Sequence, residues 1–441
     1  MSGGRGASWN DADAPRFPRV LFVSVNPFSA TSNNGKTFAS FFDGYPSASL
    51  AQLYFHRELP TSSVCQRYFR ITDEQLLRSM PRPWLVSGER VTAASPSSSL
   101  IPERTHLALK TSRTARLFRQ LLWTAVRFDE PTLESWLDEF QPEVIFFCGG
   151  DAAALYDKVS KVAARYGARR VLYVTDDYVL PTGSRHPSVL VMRAWTRRVF
   201  TRFAREADLV LTIGDAMSRT YARVFGIDSV PIMNMVQVPA TRPRPSDKPT
   251  NQPLRLLYAG SLHSNRWRVL RQVVDSCERL ANLGVNVQLR MVGPEPTTDQ
   301  RLAVHRPPYG VHDGLLDPED LRRAMAESDT MVHVESGDPD SMAATALSVS
   351  TKIPEYLVSG RGVLAIGPRG LASIDYLEDH RAALVVEPDD DAGLDRALTS
   401  LATNRELHDE LAARGFALAR RNHDGHRSRS ILWARLPETV T

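Results

Sequence analysis

The run STKIPEYLVSGRGVLAIGP, from Ser350 to Pro368, sets a cation, Lys352, three residues ahead of a carboxylate, Glu355. On a helix that spacing puts both side chains on one face. Gly360 suits a left-handed C-cap, and Val363 to Ile366 reads as a short buried strand. A charged pair at a helix start, inside an α/β pattern, is what binding a phosphorylated polar ligand requires. A surface ion pair is the plain alternative, and the apolar flank of Ile353, Tyr356 and Leu357 argues against it. A second group is Gly260, Ser261 and Arg266. A glycine lets the backbone approach a phosphate, helix N-terminal amides point at it, and a guanidinium neutralises its charge. An ordinary turn with a solvated arginine is the competing reading. Asp176 and Asp177 follow an apolar strand, so adjacent carboxylates can hold the hydroxyls of a ligand, or serve only as a cap or loop charge.

These residues need a scaffold, and the chain supplies one twice. Apolar strands at Arg19 to Ser24, Glu143 to Cys148, Val171 to Thr175, Leu209 to Ile213 and Val230 to Met233 alternate with helical stripes. One helix carries Leu155, Val159, Val162 and Tyr166 and closes at Gly167, with Asp151 as its expected cap. The proline-rich stretch Pro239 to Pro253 reads as a linker. The pattern then restarts with Leu254 to Tyr258, an amphipathic helix through Val269, Leu270, Val273, Cys277 and Leu280, strand Val287 to Val292, and a helix start at Asp317-Pro318-Glu319-Asp320. Such alternation means βαβ units and parallel sheets. The expected fold is α/β, with two Rossmann-like parallel-sheet domains facing a cleft. The expected boundaries are a flexible tail at 1–17, a first Rossmann-like domain at 18–238, a linker at 239–253, a second Rossmann-like domain at 254–415, and a helical segment at 416–441 that packs back on the first domain.

Composition removes several classes. At 441 residues the chain exceeds one ordinary core. A net charge of +4 gives no argument for nucleic acid. Cys65, Cys148 and Cys277 lack metal-ligand spacing, and Cys148 and Cys277 sit in apolar runs as expected core thiols. No run approaches the ~20 apolar residues that span a bilayer, and the first residues lack an apolar signal core, so a cytoplasmic protein is expected. The stretch His106 to Phe128 reads as a basic helix, with Leu117, Leu121 and Leu122 on one side and Lys110, Arg113, Arg116, Arg119 and Arg127 around it. It either packs on the sheet or lies peripherally on an anionic membrane face. Asp338-Pro339-Asp340 has the form of an acid-x-acid metal motif, but its late position in a polar loop argues against metal. Asp389 to Asp391 reads as a helix start.

Four stretches in order resemble the group 1 (family 4) glycosyltransferases of the GT-B fold. They are ADLVLTIGDAMSRTYARVFGI, LLYAGSLHSNRWRVLRQVV, LRMVGP, and the Lys352–Glu355 run. The resemblance extends from about Arg19 to the C-terminus. It implies transfer of a sugar from a nucleoside diphosphate sugar to a hydroxyl acceptor, a glycan or glycolipid, with retention of configuration and with neither metal nor cofactor. It also implies that Glu355 meets the donor ribose, that Gly260, Ser261 and Gly293 line the donor site, and that Arg266 and Lys352 face the diphosphate, with Arg268 and Arg361 as competitors. Asn34-Gly35-Lys36 matches a loop near donor and acceptor, and Asp176 and Asp177 fall on the acceptor side, Asp177 as the catalytic candidate. Two positions depart from the family. Leu347 stands where many relatives carry an acid, eight residues before Glu355, and Thr175 precedes the acids where relatives often have a histidine. The residues alone leave retention or inversion open, as they do the nucleotide, sugar and acceptor. A sugar-nucleotide epimerase or hydrolase on the same fold, or a non-catalytic binding protein, are the alternatives.

Overall fold

A computed structural model describes residues 17–30, 33–80, 82, 84, 86–91, 113–128, 130–181, 184, 186–244 and 252–437. Short runs of Val, Leu, Ile and Phe bounded by turn residues are too brief for helices and too apolar for an exposed face, so they form strands covered on both sides. In the first domain the order is β1 (Val20–Ser24), α1 (Asn33–Phe41), β2 (Leu50–Tyr54), β3 (Arg67–Arg70), α2 (Asp73–Arg78), β4 (Glu89–Val91), α3 (Arg113–Ala125), α4 (Pro131–Phe140), β5 (Val144–Cys148), α5 (Ala153–Tyr166), β6 (Arg169–Val174), α6 (Pro187–Glu206), β7 (Leu209–Thr212), α7 (Asp215–Phe225) and β8 (Val230–Pro231). The sheet order is β4-β3-β2-β1-β5-β6-β7-β8, parallel except for the β3–β4 edge. Phe22 of β1, Phe41 and Phe42 at the end of α1, Phe146 of β5 and Tyr173 of β6 form one aromatic core, with Phe22 stacked on Phe146 and the other contacts edge-to-face or tilted.

The second domain runs β9 (Leu254–Ala259), α8 (Arg266–Ala281), β10 (Val287–Val292), α9 (Thr298–Val304), β11 (Gly310–His312), α10 (Pro318–Glu327), β12 (Thr330–Val334), α11 (Pro339–Thr345), α12 (Lys352–Val358), β13 (Gly362–Ile366), α13 (Ala372–Asp379), β14 (Leu384–Val386), α14 (Asp391–Thr403), α15 (Arg405–Asn422) and α16 (Gly425–Arg435). Its sheet, β11-β10-β9-β12-β13-β14, is parallel throughout. The strand order reverses between β1 and β5 in one sheet and between β9 and β12 in the other. In open α/β sheets such reversals leave ligand-binding crevices at the carboxyl ends of the strands.

The connection between the domains is tied at two crossings. Val236 N–H donates to His423 C=O (2.9 Å), and Gly425 N–H donates to Val236 C=O (3.0 Å). His423 is buried here; its Nδ1 lies 2.8 Å from Asn234 C=O and its Nε2 2.9 Å from Tyr376 Oη. Burial holds it neutral, with a pKa pushed down to about 4. Beyond this point α16 lies on the first domain: Trp433 Nε1 donates to Phe41 C=O (2.8 Å), and Leu432 and Leu436 enter the first core.

Several expectations change. The boundary at 415/416 falls inside the continuous helix α15, because an unbroken ladder through Gly415 buries Leu411, Phe416 and Leu418 together. Phe17 is packed, its ring 5.0 Å from Tyr45 and 5.7 Å from Trp433, so it is not part of the flexible tail expected at 1–17. Residues 1–16 and the linker residues 245–251 lie outside the described residues. Asp151 does not cap α5; the capping position is Ala152, with no side-chain hydrogen bond. Of the expected basic helix only residues 113–128 are described; the helix there runs Arg113–Ala125, and its buried face differs from the leucine stripe. Gln120 and Trp123 are buried, whereas Phe118 and Leu121 are exposed. The reason is polar: Asp73 at the start of α2 takes hydrogen bonds from Arg119 Nε (2.8 Å) and Trp123 Nε1 (2.7 Å), which fixes the helix rotation.

Candidate functional site

The two sheets point their carboxyl ends at a cavity of about 220 Å³. Asn34, Thr37 and Asp176 line it from the first domain; Ser261, Arg266, Glu335 and Lys352 line it from the second. A larger recess of about 580 Å³ sits at the opposite edge of the first sheet, against Glu143, Arg169 and Asp208. It faces the strand beginnings, where Arg169 is already bound to the carbonyls of Arg435 and Leu436, so the smaller interdomain cavity is the better candidate.

Arg266 is placed by the β9–α8 turn. Gly260 N–H donates to Val292 C=O (2.7 Å), and Ser264 and Asn265 both adopt positive φ (55° and 57°) to bring the chain into α8. A side chain at Gly260 would strike the Lys352 ammonium and Tyr258, and one at Gly293 would strike the Gly260 backbone. The two glycines therefore admit a close layer of backbone and ammonium at the cavity floor. Tyr258 Oη donates to Ser261 C=O (2.7 Å), and its ring lies 5.5 Å from Lys352 Nζ. Tyr356, on the same helix as Lys352, is buried and accepts from Ala259 N–H (2.9 Å), which docks α12 against β9.

The charges are strongly coupled. Arg266 Nη2 lies 3.0 Å from Glu335 Oε2, and His333 Nε2 lies 3.4 Å from Glu335 Oε1; the Glu335 side chain is 4% exposed. Burial alone raises the Glu335 pKa, but His333 and Arg266 outweigh it and hold the carboxyl below its usual range. Burial lowers that of Arg266, and the charge and hydrogen bond of Glu335 together with Tyr258 and Tyr356 more than reverse this. Lys352 is pushed down to about 8 by burial and then by Arg266, with Glu335 and Glu355 opposing in part. Glu355 points across the cleft, where its Oε1 takes an ion pair from Lys36 Nζ at 2.6 Å.

On the first-domain side, Asp176 and Asp177 separate. Asp176 faces the cavity and accepts from Ser348 Oγ (3.0 Å), which also donates to Thr175 C=O (3.0 Å). Asp177 turns away. Its Oδ1 accepts from the N–H groups of Val179 and Leu180 (both 3.1 Å) and from Tyr221 Oη (3.0 Å). That is a turn-holding role in place of the catalytic one expected, because the loop after β6 needs an acceptor for its own amides. Gly35 packs beneath the Pro27–Ser29 loop, and Asn34 carries the cavity contact. Arg361 is removed as a competitor: it is buried, and its Nε and Nη2 donate to the C=O groups of Met325 and Ala326 at the end of α10. Arg268 lies over the Trp267 ring. Asp338 caps α11 by accepting from Ser341 N–H (3.1 Å), and Asp390 caps α14 by accepting from Gly393 N–H (2.8 Å). Leu347, in the position of the missing acid, packs against the first-domain core.

Three participants were missed in the sequence reading. Glu335 directly follows the apolar strand β12, and that position at a strand end was a usable signal. Ser348 had none. Asn234 spans the cleft, accepting from Thr37 Oγ1 and donating to Val349 C=O (both 3.3 Å), also without a local signature.

No family model matches this chain, and no curated protein matches it by sequence. Solved structures do match its shape. HepE from Anabaena, in complex with UDP and glucose, aligns at TM-score 0.60 with 12% identity over 95% of this chain and 99% of its own. Sucrose-phosphate synthase from Thermosynechococcus elongatus aligns at TM-score 0.60 with 13% identity, over 95% and 97%. The α,α-trehalose 6-phosphate synthase of Burkholderia multivorans aligns at TM-score 0.58 with 11% identity, over 96% of both chains. Two parallel-sheet domains around one cleft, matched over nearly the full length of each of these proteins, give this chain the GT-B fold.

Proposed function

We propose that this protein is a glycosyltransferase that moves a sugar from a nucleoside diphosphate sugar to a hydroxyl acceptor. The observation that carries the reading is the convergence of Arg266 and Lys352 on one cavity at the carboxyl ends of β9 and β12, with Glu355 on the adjoining turn. The three structures named above belong to proteins that share this fold, and one is described with UDP and glucose.

In this reading the donor lies against the second domain. Glu355 accepts hydrogen bonds from ribose hydroxyls, and Arg266, Lys352 and the amides near Gly260 and Ser261 hold the diphosphate. As the bond from the anomeric carbon to the diphosphate oxygen breaks, negative charge develops on the leaving group, and the two cations stabilise it. The acceptor oxygen forms the new bond to the anomeric carbon, and its proton passes to the departing diphosphate. Asp176 and Asn34 orient the acceptor from the first domain. Retention of configuration and independence from metal accompany this reading. Role in polysaccharide or glycolipid synthesis belongs to it as well. Exposed Phe118 and Leu121 on α3 give a peripheral membrane contact on the acceptor-side domain; among the described residues no helix is long and apolar enough to cross a membrane.

A thermal-shift panel of UDP, GDP, ADP and TDP sugars tests the donor. Product analysis with and without acceptor then separates a transferase from a hydrolase or epimerase. Failure of every nucleotide to raise the melting temperature refutes the proposal.

A further inference from the structure

Two cations in one small cavity repel each other, and a buried charge without a partner is costly. Glu335 answers both problems, and the function above leaves it unused. It sits at the end of β12, in the crevice beside β9, with one carboxylate oxygen on Arg266 and the other facing His333. We propose that Glu335 is the positioning counter-ion of the diphosphate site: it clamps the Arg266 guanidinium and supplies the negative charge that lets Arg266 and Lys352 share one ligand. The inference rests on the donor site proposed above.

The clamp follows from geometry. A guanidinium carries donors in a rigid fork. Glu335 holds one terminal nitrogen from the sheet side, which fixes the plane of the rest while Arg266 and Lys352 both border the cavity. The charge balance follows from what faces Lys352. Arg266 comes from α8, Glu335 from the end of β12, Glu355 from its own helix with Lys36 of α1 behind it, and the Tyr258 ring from β9; Tyr356 Oη is bound to the β9 backbone. Remove the Glu335 charge, and the strongest electrostatic neighbour left to Lys352 is a cation. Lys352 then gives up its proton at a lower pH.

The experiment is calorimetry of inorganic pyrophosphate with wild type, Glu335→Gln and Glu335→Asp between pH 6 and pH 9. Each variant's dissociation constant is divided by that of wild type at the same pH, which cancels the ligand's own titration. For Glu335→Gln the ratio should climb by about fivefold between pH 6 and pH 8 and approach tenfold by pH 9, the change expected when the Lys352 midpoint falls by about one pH unit. For Glu335→Asp, which keeps the charge but withdraws it from Arg266, the ratio should exceed one and stay flat with pH. A flat ratio for Glu335→Gln, or wild-type affinity in Glu335→Asp, overturns the proposal. Should the Gln variant fail to fold, the Asp variant alone decides. Pyrophosphate binding with this pH signature, in a protein that binds none of UDP, GDP, ADP or TDP, would uphold Glu335 and refute the nucleotide-sugar reading.

Discussion

Lys352→Met should make this protein more stable and inactive at once. An unfolded chain holds the lysine proton with the ordinary value of 10.5, whereas the folded site holds it at about 8. Below about pH 8 both states are protonated, and the fold carries the full penalty of a buried ammonium. Between 8 and 10.5 the folded state sheds the proton that the unfolded chain keeps, so the penalty fades as pH rises; above 10.5 it is gone. At ~1.4 kcal/mol per pH unit the gap is worth at most about 3 kcal/mol. Methionine preserves most of the side-chain length without the charge. Urea unfolding of both proteins at pH 7 and pH 10 measures the effect, because groups that titrate in both cancel in the difference. The variant should gain up to about 3 kcal/mol over wild type at pH 7 and most of that gain should vanish by pH 10. A stability difference that does not change between the two pH values would refute the reasoning, whatever happens to turnover. If it holds, the site keeps a destabilising charge for the sake of its ligand.

Wild-type turnover should decline as pH rises through about 8, when Lys352 loses its charge, and a pH–rate profile locates that limb. Glu355→Gln should weaken nucleotide binding by roughly tenfold, as read by calorimetry, since a carboxylate accepts more strongly than an amide; normal donor affinity would remove it from the ribose site. Gly260→Ala should leave the fold intact but displace the flexible Lys352 ammonium, so turnover falls more than melting temperature. Asp176→Asn should lower acceptor affinity or turnover with nucleotide affinity unchanged, whereas Asp177→Asn should lower stability by about 1 kcal/mol through its loop hydrogen bonds; the reverse pattern would exchange their roles. Glutamate at both Phe118 and Leu121 should abolish sedimentation with anionic liposomes at low salt, and a wild type that ignores such liposomes rules out the membrane contact.

The parallel-sheet architecture was legible because its signals are local. A short apolar run between turn residues must be a covered strand, and a 3.6-residue stripe ending at Gly167 or Gly284 must be a helix with a left-handed exit; both glycines have positive φ. Lys352 and Glu355 were legible as a pair for the same reason, since three positions on a helix define a direction. Arg266 was legible as a candidate phosphate-binding cation beside the Gly260-Ser261 turn. What the chain could not announce is which charges meet across space. The partners of Glu355 and Arg266 lie 319 and 69 residues away in sequence, and electrostatics depends on distance in the fold, not along the chain. Asp176 and Asp177 look alike in sequence, yet only folding decides that one faces Ser348 of the other domain while the other ties its own loop to Tyr221. The sequence by itself determined the strands, the helices and the residue types able to hold a diphosphate. The tertiary structure alone decided that Glu335 pairs with Arg266 and that Lys352 holds its proton less tightly than in the unfolded chain, because burial and the approach of charges exist only once the two sheets have closed on the cleft.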